Sequence, residues 1–258
     1  MTALLASVTD LGELETALKA GVDILDLKNP ALGALGAWGI HDLVRAVRLV
    51  EGRKPVSATI GDLPMEPECL SAAVAATAST GVDFVKVGFF AFPGSSGGGD
   101  EAGEAQACIK AIGNCDSAAA RLVAVLFADQ EPDFSLLPVL AENRFSGVML
   151  DTADKNGGGL CSHLENHLLV EFLMRARRCG LFSGLAGSLA LDDALSLLEL
   201  GPDYLGFRGA LCGAEGRRGA LDTHALSRLV GVFQDWNASS PSQATAMAGA
   251  QVDACSLS

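Results

Sequence analysis

The sequence predicts an α/β protein that folds as a single (β/α)8 TIM barrel. Short apolar runs alternate with longer amphipathic segments eight times along the chain. Each strand–helix unit takes roughly 30 residues, which matches a barrel of about 250 residues. With 49% hydrophobic side chains, a chain of 258 residues can fill one core of that size. A doubly wound open sheet is the alternative, but no GxGxxG motif follows the first predicted strand.

Eight short apolar runs are the predicted strands. Several are apolar at nearly every position, which is typical of strands covered by helices. They span residues 4–8, 24–27, 56–60, 84–88, 122–127, 148–150, 182–186 and 204–207. Between and after them, apolar residues recur with the spacing of amphipathic helices. The predicted helices span residues 11–19, 41–50, 67–80, 102–112, 136–142, 164–179, 191–200 and 223–233.

An internal repeat has the same period as the predicted units. Segments that begin at Gly21, Gly81 and Gly201 resemble one another, although any helix-to-strand loop has some of this pattern. Their offsets of 60 and 120 residues equal two and four units. We predict that residues 1–236 form the barrel domain. Residues 237–258 are small, polar and aperiodic, which predicts a flexible C-terminal tail.

Charge and composition exclude several classes of protein. The chain has 18 Lys and Arg against 31 Asp and Glu, a net charge of −13, so it has no basic stripe for nucleic acid or an anionic membrane. No run approaches the roughly 18 apolar residues of a membrane helix, and no secretory signal is recognisable. The seven cysteines lack CxxC spacing, which favours reduced thiols. We expect a cytoplasmic protein without nucleic-acid or membrane partners; monomer and homo-oligomer both stay open.

Charged residues at the ends of predicted strands are the candidate catalytic groups, because barrels place their catalytic side chains there. Asp26 and Lys28 have the same parity, and Lys86 lies between two valines, so all three are predicted to point into the barrel. A single inward lysine is usually an ion-pair partner. Two of them beside acids favour amine catalysis, because desolvation and neighbouring positive charge lower a lysine pKa and make the amine nucleophilic.

Two further charged residues follow the sixth predicted strand. Asp151 closes that strand, where it is either a turn or N-cap residue or a general acid/base. Lys155 lies in the following loop, at the mouth of the barrel. No metal site is predicted, because the four histidines lack a ligand spacing such as HExxH.

A phosphate site is predicted after the seventh and eighth strands. Gly187 and Ser188 follow one of them, and Arg208 and Gly209 follow the other. Barrels often bind phosphate at this place through backbone N–H groups, and Arg208 would add a charge-assisted contact. The alternative is that these glycines serve turn geometry alone.

Taken together, these segments resemble the (5-formylfuran-3-yl)methyl phosphate synthase family. The resemblance runs in order over about residues 3–235. It is carried by DLKNP at 26–30, GALGA at 33–37, VSATIGD at 56–62, VKVG at 85–88, MLDT at 149–152 with Lys155, LAGS at 185–188 and GFRGA at 206–210.

The resemblance implies a lyase that condenses two molecules of glyceraldehyde 3-phosphate into a phosphorylated furan aldehyde, a precursor of methanofuran-type one-carbon carriers. Lys28 matches the family's Schiff-base lysine. The other active-site charges of the family match Asp26, Lys86, Asp151 and Lys155, with Lys86 a proton acceptor or charge partner. Triose phosphates are then the small-molecule partners. No cofactor or metal is expected, because the iminium ion is the electron sink.

Two other functions stay open on the residues alone. One is another class I aldolase or dehydratase that acts on a phosphorylated sugar. The other is a non-enzymatic barrel that binds a phosphorylated ligand. Incubation with glyceraldehyde 3-phosphate alone distinguishes the first, and borohydride trapping distinguishes the second, because a binding protein yields no covalent adduct.

Overall fold

Eight parallel strands form a closed barrel in the computed structural model, which describes residues 1–90, 101–213 and 216–239. Each strand pairs with the strands before and after it in sequence, and the last strand pairs with the first. The predicted (β/α)8 TIM barrel is therefore confirmed. Among the described helices, none combines the length and the apolar character needed to cross a membrane.

Strands and helices alternate along the chain. The strands are β1 Ala3–Val8, β2 Ile24–Leu27, β3 Val56–Thr59, β4 Phe84–Phe89, β5 Arg121–Phe127, β6 Phe145–Asp151, β7 Phe182–Leu185 and β8 Tyr204–Phe207. The α-helices are α1 Leu11–Ala20, α2 Ile40–Val50, α3 Pro67–Ala78, α4 Glu101–Asn114, α5 Leu136–Glu142, α6 Leu160–His163, α7 Asn166–Arg178, α8 Asp193–Glu199 and α9 Thr223–Ser239. Short 3-10 turns follow β2, β5 and β8, at the end of the barrel where catalytic groups are expected.

The predicted helix over 164–179 corresponds to α7, and a separate short helix, α6, precedes it. Leu164 and Glu165 separate them with extended backbone, at ψ 125° and 155°. The apolar spacing continues through this break, so periodicity alone does not reveal it. The break leaves α6 as a single short turn beside the loop that carries Lys155.

The last described helix, α9, continues to Ser239, past residue 236 where the predicted barrel domain ends, and the division into domain and tail stays a prediction. The amide of Asn237 fixes this end of the helix to the start of β1. Its Oδ1 accepts from the N–H of Thr2, and its Nδ2 donates to the carbonyl of Thr2, both at 3.1 Å. The rest of the predicted tail, residues 240–258, lies outside the described residues.

Aromatic rings fill the amino-terminal end of the barrel interior. Phe182 packs against Phe84 and Tyr204, with ring centroids 5.6 and 6.1 Å apart. A glycine on β7 makes room for the ring on the next strand, since a Cβ at Gly184 would lie 2.1 Å from Cζ of Tyr204 on β8. Because the rings close this end, the inward polar side chains lie at the carboxyl end, where the barrel opens.

Candidate active site

A cavity of about 580 Å³ opens at the carboxyl end of the barrel. All nine candidate residues line it: Asp26, Lys28, Lys86, Asp151, Lys155, Gly187, Ser188, Arg208 and Gly209. The inward orientation that strand parity predicts for Asp26, Lys28 and Lys86 is therefore confirmed. The chemical roles of the nine residues stay predictions.

Asp26 and Lys86 form a buried ion pair at the inner end of the cavity. The carboxylate Oδ1 lies 2.6 Å from the Lys86 Nζ, and the side chains are 0% and 3% exposed. The hydroxyls of Ser7 and Ser57 donate to the two carboxylate oxygens at 2.7 and 2.8 Å. A buried charge is tolerated when it is paired and hydrogen-bonded in this way. The serines therefore fix the carboxylate, and the carboxylate fixes the lysine.

Asp151 holds two lysines nearer the mouth. The Lys28 Nζ lies 3.1 Å from Oδ2, and the Lys155 Nζ pairs with Oδ1 and also donates to the Thr152 hydroxyl at 3.2 Å. Lys28 directly follows β2 and Asp151 ends β6, so closure of the barrel joins residues 123 positions apart. This arrangement places one carboxylate between two amines that face the same cavity.

Burial and pairing change the acidity of these groups. Burial opposes ionisation of Asp151, but Lys155 and Lys28 outweigh it and hold the pKa of Asp151 well below its usual range. Burial lowers the pKa of Lys155 to about 8, although Asp151 offsets part of the effect. Burial also lowers the pKa of Lys86, against the attraction of Asp26. A carboxylate that stays charged therefore faces a cavity in which Lys86 and Lys155 lose their protons more readily than usual.

The loops after β7 and β8 offer backbone donors at the predicted phosphate site. Gly187 and Ser188 both have left-handed backbone, with φ 109° and 47°, a strained conformation for serine that is typical of functional loops. In the described parts of the chain, the N–H groups of Ser188, Leu189, Gly209 and Ala210 donate to no protein acceptor, although all four residues line the cavity. Unpaired N–H groups in such loops favour anion binding.

Arg208 does not fit the predicted role of phosphate ligand. A guanidinium has five N–H donors, and in Arg208 all five have partners within the protein. The Glu13 carboxylate accepts two of them, the first at 2.5 Å. The carbonyls of Ser7, Arg217 and Gly219 accept the others. Arg208 therefore ties the end of β8 to α1, and these contacts do not support its predicted role as a phosphate ligand.

Sequence reasoning missed how the loop between β2 and α2 is held at the cavity. The Asp62 carboxylate accepts the N–H groups of Ala34 and Leu35, both at 2.7 Å. Gly33 has left-handed backbone at φ 128°, and a Cβ there would lie 2.0 Å from Oδ2 of Asp62. The glycines and the aspartate that follows β3 are the signal in the sequence, because such close contact requires glycine.

Sequence reasoning also missed Arg217, which lines the cavity from the loop after β8. Its Nη2 donates to the carbonyls of Pro30 and Gly33, both at 3.1 Å. Arg217 therefore connects the β8 loop to the β2 loop. No pattern in the sequence marks it, because it lies in a short aperiodic segment between β8 and α9.

The donors that line the cavity are of the kind that bind anions. Ammonium groups, a guanidinium and unpaired N–H groups all recognise phosphate. Among the described residues, His, Cys, Asp and Glu side chains form no group of three or more that could hold a metal ion. The cavity therefore combines lysine amines with N–H donors of the kind that bind phosphate.

Comparison with known proteins identifies the family. A model of the 4-HFC-P synthase family matches residues 4–230. A relative from Methylorubrum extorquens, provisionally named (5-formylfuran-3-yl)methyl phosphate synthase, is 41% identical over 227 residues, which are 88% of this chain and 89% of the relative. The (5-formylfuran-3-yl)methyl phosphate synthase of Methanosarcina barkeri is 35% identical over 240 residues, which are 90% of this chain and 99% of that protein.

Solved structures agree on the fold. A phosphoribosyl anthranilate isomerase from Thermus thermophilus has a TM-score of 0.60 and 13% identity, covering 91% of this chain and 99% of its own. At that identity the likeness concerns the barrel alone. The family model and the synthases extend over nearly the whole barrel, and they confirm the resemblance carried by the strand-end motifs. This chain belongs to the 4-HFC-P synthase family.

Proposed function

We propose that this synthase condenses two molecules of glyceraldehyde 3-phosphate into (5-formylfuran-3-yl)methyl phosphate through a Schiff base on Lys28. Two triose phosphates, each C3H7O6P, give the furan phosphate C6H7O6P, one phosphoric acid and two water molecules. Because phosphate leaves a carbon atom, the enzyme is a carbon–oxygen lyase. The synthase names of the relatives support the product. The observation that carries the chemistry is Lys28 paired with a buried carboxylate beside a second lysine of lowered pKa.

The first step is attack by the Lys28 amine on an aldehyde carbon. A C–N bond forms, the carbonyl oxygen leaves as water, and a protonated imine results. Asp151 lies 3.1 Å from the nitrogen and stays ionised, so it stabilises the positive charge of the imine. That charge acidifies the neighbouring C–H bond, and loss of its proton gives an enamine. The imine is the electron sink, so the proposal needs no cofactor.

Lys155 and Lys86 carry the protons in this proposal. A base works best when its pKa is close to the working pH, and the pKa of about 8 fits Lys155 to that role. The position of Asp151 at a strand end is compatible with a turn or N-cap residue or with a general acid/base. Its low pKa makes it a weak base, so we assign it the fixed charge instead. Lys86 acts deeper in the cavity, as proton acceptor or charge partner of Asp26.

The enamine then adds to the second triose phosphate. Release of one phosphate, cyclisation and loss of water complete the aromatic furan. The N–H groups at Ser188 and Gly209 hold a phosphate during these steps. A furan that bears both an aldehyde and a phosphorylated hydroxymethyl group would serve as a precursor of a methanofuran-type one-carbon carrier in the cytoplasm.

Incubation of the purified protein with glyceraldehyde 3-phosphate alone tests the proposed function. We expect a product with the mass of C6H7O6P and the ultraviolet absorption of a conjugated furan aldehyde, with one inorganic phosphate released per furan. Unphosphorylated glyceraldehyde is the matched control and should give no furan phosphate. A six-carbon product that keeps both phosphates would instead identify a simple class I aldolase. If neither a product nor a borohydride adduct forms, the protein is a non-enzymatic barrel that binds a phosphorylated ligand.

The pKa of Lys155 predicts how the rate depends on pH. If its free amine removes the proton from the imine-bound carbon, the rate rises with pH, because the free-amine fraction grows until pH exceeds about 8. Between pH 7 and pH 8 that fraction rises about five-fold. We expect kcat to rise with pH and to level off above about pH 8, and this rising limb of the profile should be absent in Lys155→Met. Lys110→Met, on α4, is the control and should keep the limb. A limb retained in Lys155→Met would assign the titration to another group.

A further inference from the structure

We propose that Arg217 is the side-chain ligand of a second substrate phosphate, bound on the β2 side of the cavity and separate from the backbone N–H groups after β7 and β8. This inference rests on the proposed function, in which two phosphorylated molecules occupy one cavity. Two phosphate monoesters need two sets of donors, because each carries close to two negative charges at neutral pH. The sequence predicts one set, and the structure supplies a candidate for the other.

The other cations of the cavity already have partners. Arg208 donates all five of its N–H groups to the protein. Lys86 pairs with Asp26, while Lys28 and Lys155 share the carboxylate of Asp151. In the proposed reaction Lys28 also binds the substrate carbon. These groups therefore offer little for a second phosphate.

Arg217 differs from them in its unused donors. Its Nη2 makes two hydrogen bonds to loop carbonyls, at Pro30 and Gly33. Across the described residues, its Nε and Nη1 donate to no protein acceptor, which leaves three N–H groups of a half-buried guanidinium at the cavity. A guanidinium with adjacent free donors matches the geometry of phosphate oxygens.

The two Nη2 contacts fix the position of the guanidinium. The stem of Arg217 starts beside Gly209, where an added Cβ would lie 3.9 Å from the Arg217 Cβ. The guanidinium lies at the carbonyls of the β2 loop, so the side chain extends away from Gly209 and toward the loop that follows Lys28. The phosphate it binds is therefore on the β2 side, whereas the unpaired N–H groups are on the β7 and β8 side.

Arg217 lines the same cavity as the reacting groups, and their charges influence one another. Burial lowers the pKa of Arg217, and Asp151 counteracts part of that effect. Arg217 in turn contributes to the lowered pKa of Lys155. These effects agree with the geometry, in which Arg217 lines the same cavity as Lys28, Asp151 and Lys155. In this proposal, one triose phosphate binds Arg217 through its phosphate and reaches Lys28 with its carbonyl carbon.

Trapping with two aldehydes tests the proposal. In Arg217→Met, we expect the concentration of glyceraldehyde 3-phosphate that gives half-maximal borohydride adduct to rise about ten-fold or more, the usual effect of losing hydrogen bonds to a charged group. The value for unphosphorylated glyceraldehyde should not change. Arg218→Met is the matched control: Arg218 is the exposed neighbour in the same turn and does not line the cavity. Arg217→Lys, which keeps the charge, should recover part of the affinity.

A role that only holds the loop predicts another result. Loss of the contacts to Pro30 and Gly33 would weaken adduct formation with both aldehydes equally, and that outcome would overturn the proposal. Unchanged trapping of both aldehydes would also overturn it.

Titration with inorganic phosphate separates this proposal from the proposed function, because it needs no imine. We expect two phosphates per wild-type chain and one per Arg217→Met chain. If the two proteins bind phosphate equally, the role of Arg217 is wrong and the imine on Lys28 is unaffected. If the wild-type protein forms no adduct but Arg217→Met still loses the second phosphate, the imine on Lys28 is wrong and the role of Arg217 is unaffected.

Discussion

Replacing Lys28 by arginine should abolish the covalent intermediate and reduce furan formation on the order of 10⁴-fold or more, as removal of a nucleophile does in other covalent enzymes. The guanidinium keeps the positive charge that Asp151 needs, so the carboxylate is not left unpaired. It does not act as an amine nucleophile, because it stays protonated at any working pH. Mass spectrometry after borohydride reduction should find the substrate on Lys28 of the wild type and no adduct on Lys28→Arg.

Lys54→Arg is the matched control for this substitution. Lys54 forms a partly exposed ion pair with Asp23, 3.5 Å apart, and neither residue lines the cavity. The control should keep both the adduct and the rate. Both variants should unfold at close to the wild-type temperature, because each retains its charge. An adduct of normal yield on Lys28→Arg would move the imine to Lys86 or Lys155.

The elements that the sequence predicts best are those bounded by strong local signals. β2, α5 and β8 match their predicted bounds. A glycine and an aspartate precede both β2 and β8, and they mark where each apolar run starts. β6 is longer than predicted, because Ser146 and Gly147 interrupt its apolar run while pairing with β5 keeps Phe145 in the sheet. Strand length is thus set by the neighbouring strand, which one sequence window does not contain.

The same limit applies to the site. Parity places Asp26, Lys28 and Lys86 inside the barrel, because it depends on one strand at a time. It does not assign partners, and the structure pairs Lys28 with Asp151 rather than with the adjacent Asp26.

Arg208 shows the consequence for predicted ligands. Its position after β8 predicts a phosphate ligand, but Glu13, 195 residues away, takes two of its donors. Whether a charged side chain is free for substrate depends on such distant contacts.

Replacing Asp151 by asparagine should reduce furan formation by about two orders of magnitude or more, while the protein still folds and still forms some imine. The amide keeps the size of the side chain but removes the charge that pairs with Lys28 and Lys155. The imine then loses the charge that stabilises it, and effects of this kind typically reach about 10²–10³-fold. Asp154→Asn is the matched control, because Asp154 is exposed in the same loop and does not line the cavity.

The pH profile of Asp151→Asn distinguishes the two roles of this carboxylate. In the wild type, Asp151 raises the pKa of Lys155 against the effect of burial. Removing the negative charge lowers that pKa further, so the limb expected near pH 8 should move to lower pH. If Asp151 were itself the base, its low pKa would leave the wild type with no limb near pH 8, and Asp151→Asn would lower the rate by the same factor at every pH. A fixed charge therefore predicts a slower enzyme whose remaining activity extends to lower pH, and kcat measured from pH 5 to pH 9 decides between them.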